Sequence, residues 1–327
     1  MRGKSKNYTF ASSFANEMCA YFELRASQDH KHDREKHILI SLDEFLCVRN
    51  IVGKELNPAT IESWLQSLSE IHVNTKIVYI SHYTQFAKYL HTLGYKAFIP
   101  ERPMEDRTYA PYVFTEDEIA RLLEAADNLQ TRGNPSIPNI QFPIILRILY
   151  GCGLRADEAL RLLVSDVDTT AGVLLIRNGK GNKDRLVPMD ATLSAIVKQY
   201  ISYVVRGRDE NSLLFLNRNK EQIAQATFRY WFVRALAAAG IEKPDLPRMS
   251  RNICVHCIRH TFAVHSFRKQ DRAGVDMYSA APFLSTFMGH TKLYGTETYL
   301  HMSAENSADI IEKSAEYTQG LFPEVPR

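Results

Sequence analysis

The most informative part of the chain is the run His256-Cys257-Ile258-Arg259-His260, which is followed by Met288-Gly289-His290 and, nine residues later, by Tyr299. Two further runs lie upstream, Gly153-Leu154-Arg155-Ala156-Asp157-Glu158-Ala159-Leu160 and Gly179-Lys180-Gly181-Asn182-Lys183-Asp184-Arg185. Cleavage of a phosphodiester requires a nucleophile, cations that face the phosphate oxygens, and a proton for the departing oxygen. These runs contain a tyrosine, arginines, a lysine and histidines, which supply those parts without a metal ion.

Length and composition restrict the class of protein. A chain of 327 residues predicts two domains. No apolar run approaches the roughly 20 residues of a membrane span, and no apolar segment follows the basic N-terminus, so neither a membrane protein nor a signal peptide is predicted. Five scattered cysteines indicate reduced thiols and a cytoplasmic protein. Because the net charge is only +3, any surface that binds nucleic acid must arise from local clustering.

The first hundred residues are predicted to be helical. Apolar residues recur there at helical spacing in three groups: Phe10, Phe14, Met18 and Tyr21; Ile61, Trp64, Leu65, Leu68 and Ile71; and Ile77, Ile80, Ala87 and Leu90. Pro58 is suited to start the second helix and Gly94 to end the third. Ser41 and Glu44 have the spacing of a capping box, which predicts a helix start at Ser41.

Prolines separate this region from the rest of the chain. Pro100, Pro103 and Pro111 interrupt the helical pattern between Lys96 and Tyr112, which predicts an extended linker. We therefore assign a helical N-terminal domain to residues 1–98, the linker to 99–112 and a second domain to 113–327.

The second domain is predicted to be mainly α with a small antiparallel β element. Thr115 and Glu118 form a capping box that starts its first helix. Val173–Ile176 and Arg185–Pro188 flank a turn-rich segment and predict a β-hairpin, and Leu213–Leu216 is a candidate third strand. Apolar residues around Ile310 and Ile311 predict a further helical segment near the C-terminus.

No metal site is predicted. Cys254 and Cys257 form a lone Cys-x-x-Cys without a second ligand pair, so we interpret them as partly buried thiols on a helix. The charged run from Asp29 to His37 contains three histidines but has the mixed signs of a solvated segment.

Taken together, the four runs resemble the tyrosine recombinase (phage integrase) family. The resemblance implies a mainly α catalytic domain behind a helical core-binding domain, and it implies no cofactor. The residues that it makes catalytic are Arg155, Lys180, His256, Arg259, His290 and Tyr299. In the family, the arginines bind the phosphate, the lysine is the general acid and the tyrosine is the nucleophile. Glu158 is expected to support Arg155.

Some assignments within this pattern stay open. Tyr294 is a rival nucleophile, but it lies closer to His290 than the family spacing places it. Lys183 and Arg185 are expected to touch the DNA backbone rather than to take part in the chemistry. Candidate DNA contacts in the N-terminal domain are Lys76, Gln85 and Lys88, for which a solvated helix face is an equal alternative.

The resemblance implies a site-specific DNA recombinase that forms a 3′-phosphotyrosine without metal or ATP. Its partners would be double-stranded DNA with specific recombination sites, three further copies in a tetramer on two sites, and accessory DNA-bending or excision factors. It would act on the nucleoid of a bacterial cytoplasm. A type IB topoisomerase and a catalytically silent DNA-binding protein are the alternatives.

One stretch departs from the family. The segment between Arg259 and His290 is longer than in simple members, and it includes the charged residues 268–276. We interpret this insertion as a solvated loop, with a contact to DNA or to another protomer as the alternative.

Overall fold

The computed structural model describes residues 8–27, 33–68, 70–106, 111–129, 137–179, 183–242 and 253–289. Contacts group the chain into two compact units, Met1–Tyr109 and Ala110–Arg327. The division falls inside the stretch 99–112 that the sequence assigns to a linker. Among the residues that the structure describes, none of the helices combines the length and the apolar character that crossing a membrane requires.

The described part of the first unit is helical, apart from two short strands that pair in parallel. Its elements are α1 (Ala15–Ala26), α2 (Asp33–Val48), β1 (Glu55–Leu56), α3 (Pro58–Ser67), α4 (Val73–Thr92) and β2 (Lys96–Ala97). Asn57 caps α3, because its side chain accepts a hydrogen bond from the Thr60 N–H at 2.9 Å. Gly94 follows α4 at a φ of +85°, a conformation in which glycine is favoured.

Most residues of the predicted apolar groups lie in the core of this unit, in which Phe14, Met18 and Trp64 are fully buried. Two residues of the predicted group that begins at Ile61, Leu68 and Ile71, lie beyond α3, which ends at Ser67. The predicted helix start at Ser41 is wrong. Ser41 lies inside α2, where its hydroxyl accepts a hydrogen bond from Trp64 Nε1 at 3.4 Å. The residue spacing of a capping box is therefore present here inside α2, which begins earlier in the chain.

The second unit is mainly helical with a three-stranded antiparallel sheet of order β3-β4-β5. Its elements are α5 (Glu116–Asp127), α6 (Ile137–Cys152), α7 (Ala156–Leu160), β3 (Val167–Asp168), β4 (Val173–Ile176), β5 (Arg185–Pro188), α8 (Ala191–Tyr200), α9 (Gln225–Ala238), α10 (His256–Arg272) and α11 (Met277–Met288). Ile176 pairs with Arg185 at the end of the β4–β5 hairpin, as the sequence predicted.

The third strand is β3 and not the predicted segment Leu213–Leu216. That segment forms only isolated bridges, Leu213 with Leu163 and Leu216 with Gln222. Its two central residues, Leu214 and Phe215, are both buried. Consecutive buried side chains do not fit the alternating faces of a strand in a sheet with one solvated side.

Helix α5 begins at the predicted capping box. The Glu118 N–H donates to Thr115 Oγ1 at 3.1 Å, and the Thr115 N–H donates to Glu118 Oε2 at 2.8 Å. This reciprocal pair satisfies two backbone donors that the first helical turn cannot satisfy itself.

The segment expected to be a solvated loop is largely helical. Its first residues, 268–272, form the last turns of α10. A turn follows in which Gly274 has a φ of +76°, and Asp276 then caps α11 by accepting from the Ser279 N–H at 2.8 Å. Residues 268–276 therefore form the end of α10 and the short turn that joins it to α11. The C-terminal segment around Ile310 lies outside the described residues.

Candidate active site

Arg155 lies at the start of α7, where the chain turns sharply after α6. Gly153 makes this turn at a φ of +59°, and a Cβ there would overlap the ring of Phe262 on α10. Arg155 immediately binds Glu158, its backbone N–H donating to Oε2 at 2.9 Å and its Nη1 to Oε1 at 2.7 Å. Glycine at position 153 thus allows α10 to approach the turn that presents Arg155.

Helix α10 carries His256 in its first turn and Arg259 one turn later. The Arg259 side chain is buried, with 2% of its surface exposed. Its Nη1 donates to the Gly153 carbonyl and its Nη2 to the Met288 carbonyl, each at 2.6 Å. The ring of His256 packs edge-on against His260, with centroids 4.6 Å apart. The sequence had given His260 no role of its own.

A third arginine, Arg185 at the start of β5, joins this cluster. Its Nη1 and Nη2 donate to Glu158 Oε1 and Oε2 at 3.1 and 2.8 Å. Its Nε donates to the Phe287 carbonyl at 3.1 Å, and the side chain is only 11% exposed. The sequence predicts that Arg185 contacts the DNA backbone, whereas in the structure its guanidinium is bound by groups of the protein.

The last carbonyls of α11 are the common acceptor of all three arginines. The carbonyls of Phe287, Met288 and Gly289 accept hydrogen bonds from Arg185, Arg259 and Arg155, respectively. Such carbonyls have no partner inside the helix and carry partial negative charge. The end of α11 is therefore an anchor on which three guanidinium groups converge, and the sequence patterns did not predict it.

Glu158 balances part of the positive charge. Its side chain is 5% exposed. Burial acts to raise the pKa of this carboxyl, but the hydrogen bonds from Arg185 and Arg155 outweigh it and lower the pKa from 4.5 to about 2. Glu158 is thus ionised wherever the protein is folded near neutral pH, and one negative charge lies between two guanidinium groups.

This lowered pKa predicts a pH dependence of stability. A carboxyl with a depressed pKa stabilises the fold fully above its unfolded pKa, and the contribution is lost as the pH falls from about 4.5 toward about 2. We expect Glu158→Gln to lower the free energy of unfolding by about 3 kcal/mol at pH 6, and this deficit to shrink toward pH 2. Urea unfolding at several pH values measures it, with exposed Glu210→Gln as control. A deficit that is constant over this range contradicts the assignment.

The hairpin is described up to its tip. The Gly179 N–H donates to the Lys183 carbonyl at 3.0 Å, and the Asn178 N–H donates to Asp184 Oδ1 at 2.8 Å. The Lys183 side chain is exposed. Four residues named from the sequence lie outside the described part of the chain: Lys180, His290, Tyr294 and Tyr299. The catalytic roles of these residues, and those of Arg155, His256 and Arg259, stay predictions.

The three candidate DNA contacts in the first unit do not share one face. Gln85 and Lys88 are exposed on α4 and lie three residues apart, so they are neighbours on the helix surface. Lys76 is half-buried. It precedes Gln85 by nine residues, which at 3.6 residues per turn places it about 180° around the helix. If this unit binds DNA through the exposed face of α4, Gln85 and Lys88 are the better candidates.

The two cysteines of the Cys-x-x-Cys lie at the start of α10. Their sulfur atoms are 3.8 Å apart, and Cys257 is buried while Cys254 is half-buried just before the helix. The hydrogen bond with Cys254 and burial raise the pKa of the Cys257 thiol. Within the described ranges, no three histidine, cysteine or acidic residues are grouped to hold a metal ion.

The chain is similar to proteins of one known family. The family model described as "Phage integrase family" matches residues 112–306. A tyrosine recombinase of Thermosipho africanus is 29% identical over 279 residues, which cover 80% of this chain and 87% of the relative. Tyrosine recombinase XerA of Pyrococcus horikoshii is 28% identical over 207 residues, and only 61% of its length is covered.

Solved structures share the fold. The XerH site-specific recombinase in a post-cleavage complex with palindromic difH substrate matches 86% of this chain and 78% of its own, with a TM-score of 0.66 and 19% identity. The Tn1549 transposon integrase in complex with transposon right end DNA matches 93% of this chain and 99% of its own, with a TM-score of 0.61 and 16% identity.

Proposed function

The chain belongs to the phage integrase family, and from this we propose that it is a site-specific DNA recombinase that cuts and rejoins strands through a 3′-phosphotyrosine intermediate. The observation that supports this most directly is the convergence of two arginines. Arg155 and Arg259 come from different helices, yet their Nη2 atoms bind the adjacent carbonyls of Gly289 and Met288. Two permanently charged, planar groups held side by side are suited to the oxygens of one phosphate.

The chemistry that we propose is a transesterification. The phenol oxygen of Tyr299 attacks the scissile phosphorus as its proton passes to a histidine of the site. It forms a bond to the 3′-phosphate and displaces the 5′-oxygen, which takes a proton from Lys180. The arginines and histidines stabilise the charge that develops on the non-bridging oxygens. A 5′-hydroxyl from the partner strand then reverses the step. The phosphotyrosine conserves the energy of the broken bond, so no ATP is needed.

Because the arginines meet the phosphate charge, we predict that cleavage is indifferent to chelation. Duplexes that the protein selects from a randomised library, nicked so that the cut end diffuses away, should trap it covalently. The yield of adduct should be the same within about twofold with EDTA and with magnesium. Loss of the adduct on chelation, restored by one metal ion, would overturn this mechanism.

The same assay separates the alternatives. A catalytically silent DNA-binding protein would bind the selected duplex and form no adduct. A type IB topoisomerase would relax a supercoiled plasmid that lacks the selected sequence, whereas a site-specific recombinase would leave it supercoiled. Strand exchange between two plasmids that carry the selected site completes the test.

We also propose the assembly that this reaction requires. Exchange between two duplexes cuts four strands, and each protomer brings one tyrosine, so the active form is a cyclic homotetramer on two sites. The first unit acts as the core-binding domain, and the C-terminal segment around Ile310 and Ile311 docks on a neighbouring protomer. Accessory DNA-bending or excision factors direct the outcome on the nucleoid. Native mass spectrometry of the complex with selected DNA tests the stoichiometry.

A further inference from the structure

We propose that Arg185 is a positioning residue, which holds the end of α11 against the phosphate-binding arginines and keeps Arg155 available for DNA. This inference rests on the proposed function, since the phosphate site is part of that proposal. It assigns to Arg185 a role different from the contact with the DNA backbone that the sequence suggested. Three features of the surroundings of Arg185 support the positioning role.

The first feature is that Arg185 ties three elements together. Its Cα lies at the start of β5, paired with Ile176 of β4. Its two Nη atoms bind both carboxylate oxygens of Glu158 on α7, and its Nε binds the carbonyl of Phe287 near the end of α11. A bidentate guanidinium–carboxylate pair fixes both distance and plane. The sheet therefore sets the position of the last turn of α11.

The second feature is the close approach of Arg185 to Gly289. A Cβ at position 289 would lie 2.9 Å from Arg185 Nη1 and 3.0 Å from its Cζ. Gly289 ends α11 at a φ of +66° and precedes His290 in the chain. The guanidinium thus lies against the backbone of Gly289, which directly precedes His290, a predicted catalytic residue. We therefore expect a shift of Arg185 to move the Gly289 backbone, and with it the point at which His290 joins the chain.

The third feature is the charge on Glu158. Its Oε1 accepts from both Arg155 and Arg185, at 2.7 and 3.1 Å, while the side chain of Arg185 also takes Oε2. Arg155 pairs with this carboxylate through Nη1, its Nη2 binds the Gly289 carbonyl, and 25% of its side chain is exposed. Without Arg185, the carboxylate of Glu158 would pair with Arg155 instead of being shared between two guanidinium groups. Arg155 would then be positioned less well for the scissile phosphate, which slows cleavage, whereas binding of the whole duplex depends on many other phosphate contacts.

A contact with DNA would require Arg185 to abandon these bonds. Unlike Arg259, whose Nη atoms bind neutral backbone carbonyls, Arg185 binds the carboxylate of Glu158, which is 5% exposed, so withdrawal would leave a buried charge with one partner fewer. Lys183, two residues earlier in the chain, is exposed and reaches solvent without such a cost. The geometry therefore favours Lys183 for the DNA backbone and Arg185 for positioning.

The test compares Arg185→Met with Arg177→Met. Arg177 follows β4 and binds the buried carboxylate of Asp166 at 2.5 Å, and among the described residues it forms no hydrogen bond with α11, so it controls for loss of a surface-to-interior ion pair. With wild type first shown to form the adduct, we expect Arg185→Met to slow single-turnover cleavage at saturating protein on the order of 10²-fold. Its DNA affinity and the salt dependence of binding should match wild type, and Arg177→Met should cleave normally.

Two outcomes for Arg185→Met would overturn the proposal. One is wild-type cleavage at saturation together with weaker binding and a salt slope reduced by about one, which is the signature of a lost phosphate contact. The other is a variant that matches wild type in every measurement. Should Arg185→Met not fold, Arg185→Lys keeps the charge but not the fork, and it should still cleave slowly. Wild-type cleavage by Arg185→Lys would also exclude the role. If wild type itself forms no adduct, the proposed function fails instead.

Discussion

Tyr299→Phe is expected to bind the selected DNA with wild-type affinity and to form no covalent adduct. The phenol oxygen is the proposed nucleophile, and removing it leaves a ring of nearly the same shape. No other group in the proposed mechanism can form the bond to the 3′-phosphate, so the loss should be complete. The free phenol has a pKa of about 10, so its deprotonation must accompany the attack within the cationic site. This effect is among the largest that we predict.

The matched control is Tyr294→Phe, which removes the rival hydroxyl five residues earlier. On the nicked duplex, Tyr294→Phe should give the same covalent band as wild type, while Tyr299→Phe should give none. Peptide mapping of the wild-type adduct should locate the DNA fragment on the peptide that contains Tyr299. A band that persists in Tyr299→Phe and vanishes in Tyr294→Phe would reassign the nucleophile.

Much of the fold was predictable because it depends on local signals. The capping box at Thr115 and Glu118 and the hairpin of β4 and β5 both formed as predicted. The failures have a physical origin. The spacing of Ser41 and Glu44 is typical of a helix start, but it does not exclude a helix that began earlier, at Asp33. Leu213–Leu216 has strand-forming residues, yet packing of Leu214 and Phe215 into one core overrode the alternation of a strand.

The candidate site was predictable only in part. The sequence motifs named Arg155, Arg259 and Glu158, which the structure brings together at one end of α11. The acceptors that organise them are backbone carbonyls, which every residue possesses and which no sequence pattern distinguishes. For the same reason no motif indicated the bonds that Arg185 forms with Glu158 and Phe287. A charged residue on a hairpin has the appearance of a surface contact until its buried partner is known.

Lys180→Ala is expected to slow cleavage on the order of 10²–10⁴-fold, because the departing 5′-oxygen would leave without its proton. The affinity for DNA should change little, since one cation among many near the backbone is lost. Single-turnover cleavage of the nicked duplex measures the rate. Lys183→Ala is the matched control, because the Lys183 side chain is exposed on the same hairpin and is expected to contact the backbone rather than the leaving group.

A substrate with sulfur in place of the scissile 5′-bridging oxygen identifies the general acid directly. A thiolate is a far weaker base than an alkoxide, so it departs without protonation and no longer needs the lysine. This substrate should restore cleavage by Lys180→Ala to near the wild-type rate and leave Arg155→Ala slow, because the arginine acts on the non-bridging oxygens. If the sulfur restores Lys183→Ala and fails to restore Lys180→Ala, the acid is the other lysine of the hairpin. The position of the proton donor then moves from residue 180 to residue 183, while the roles of the arginines stand.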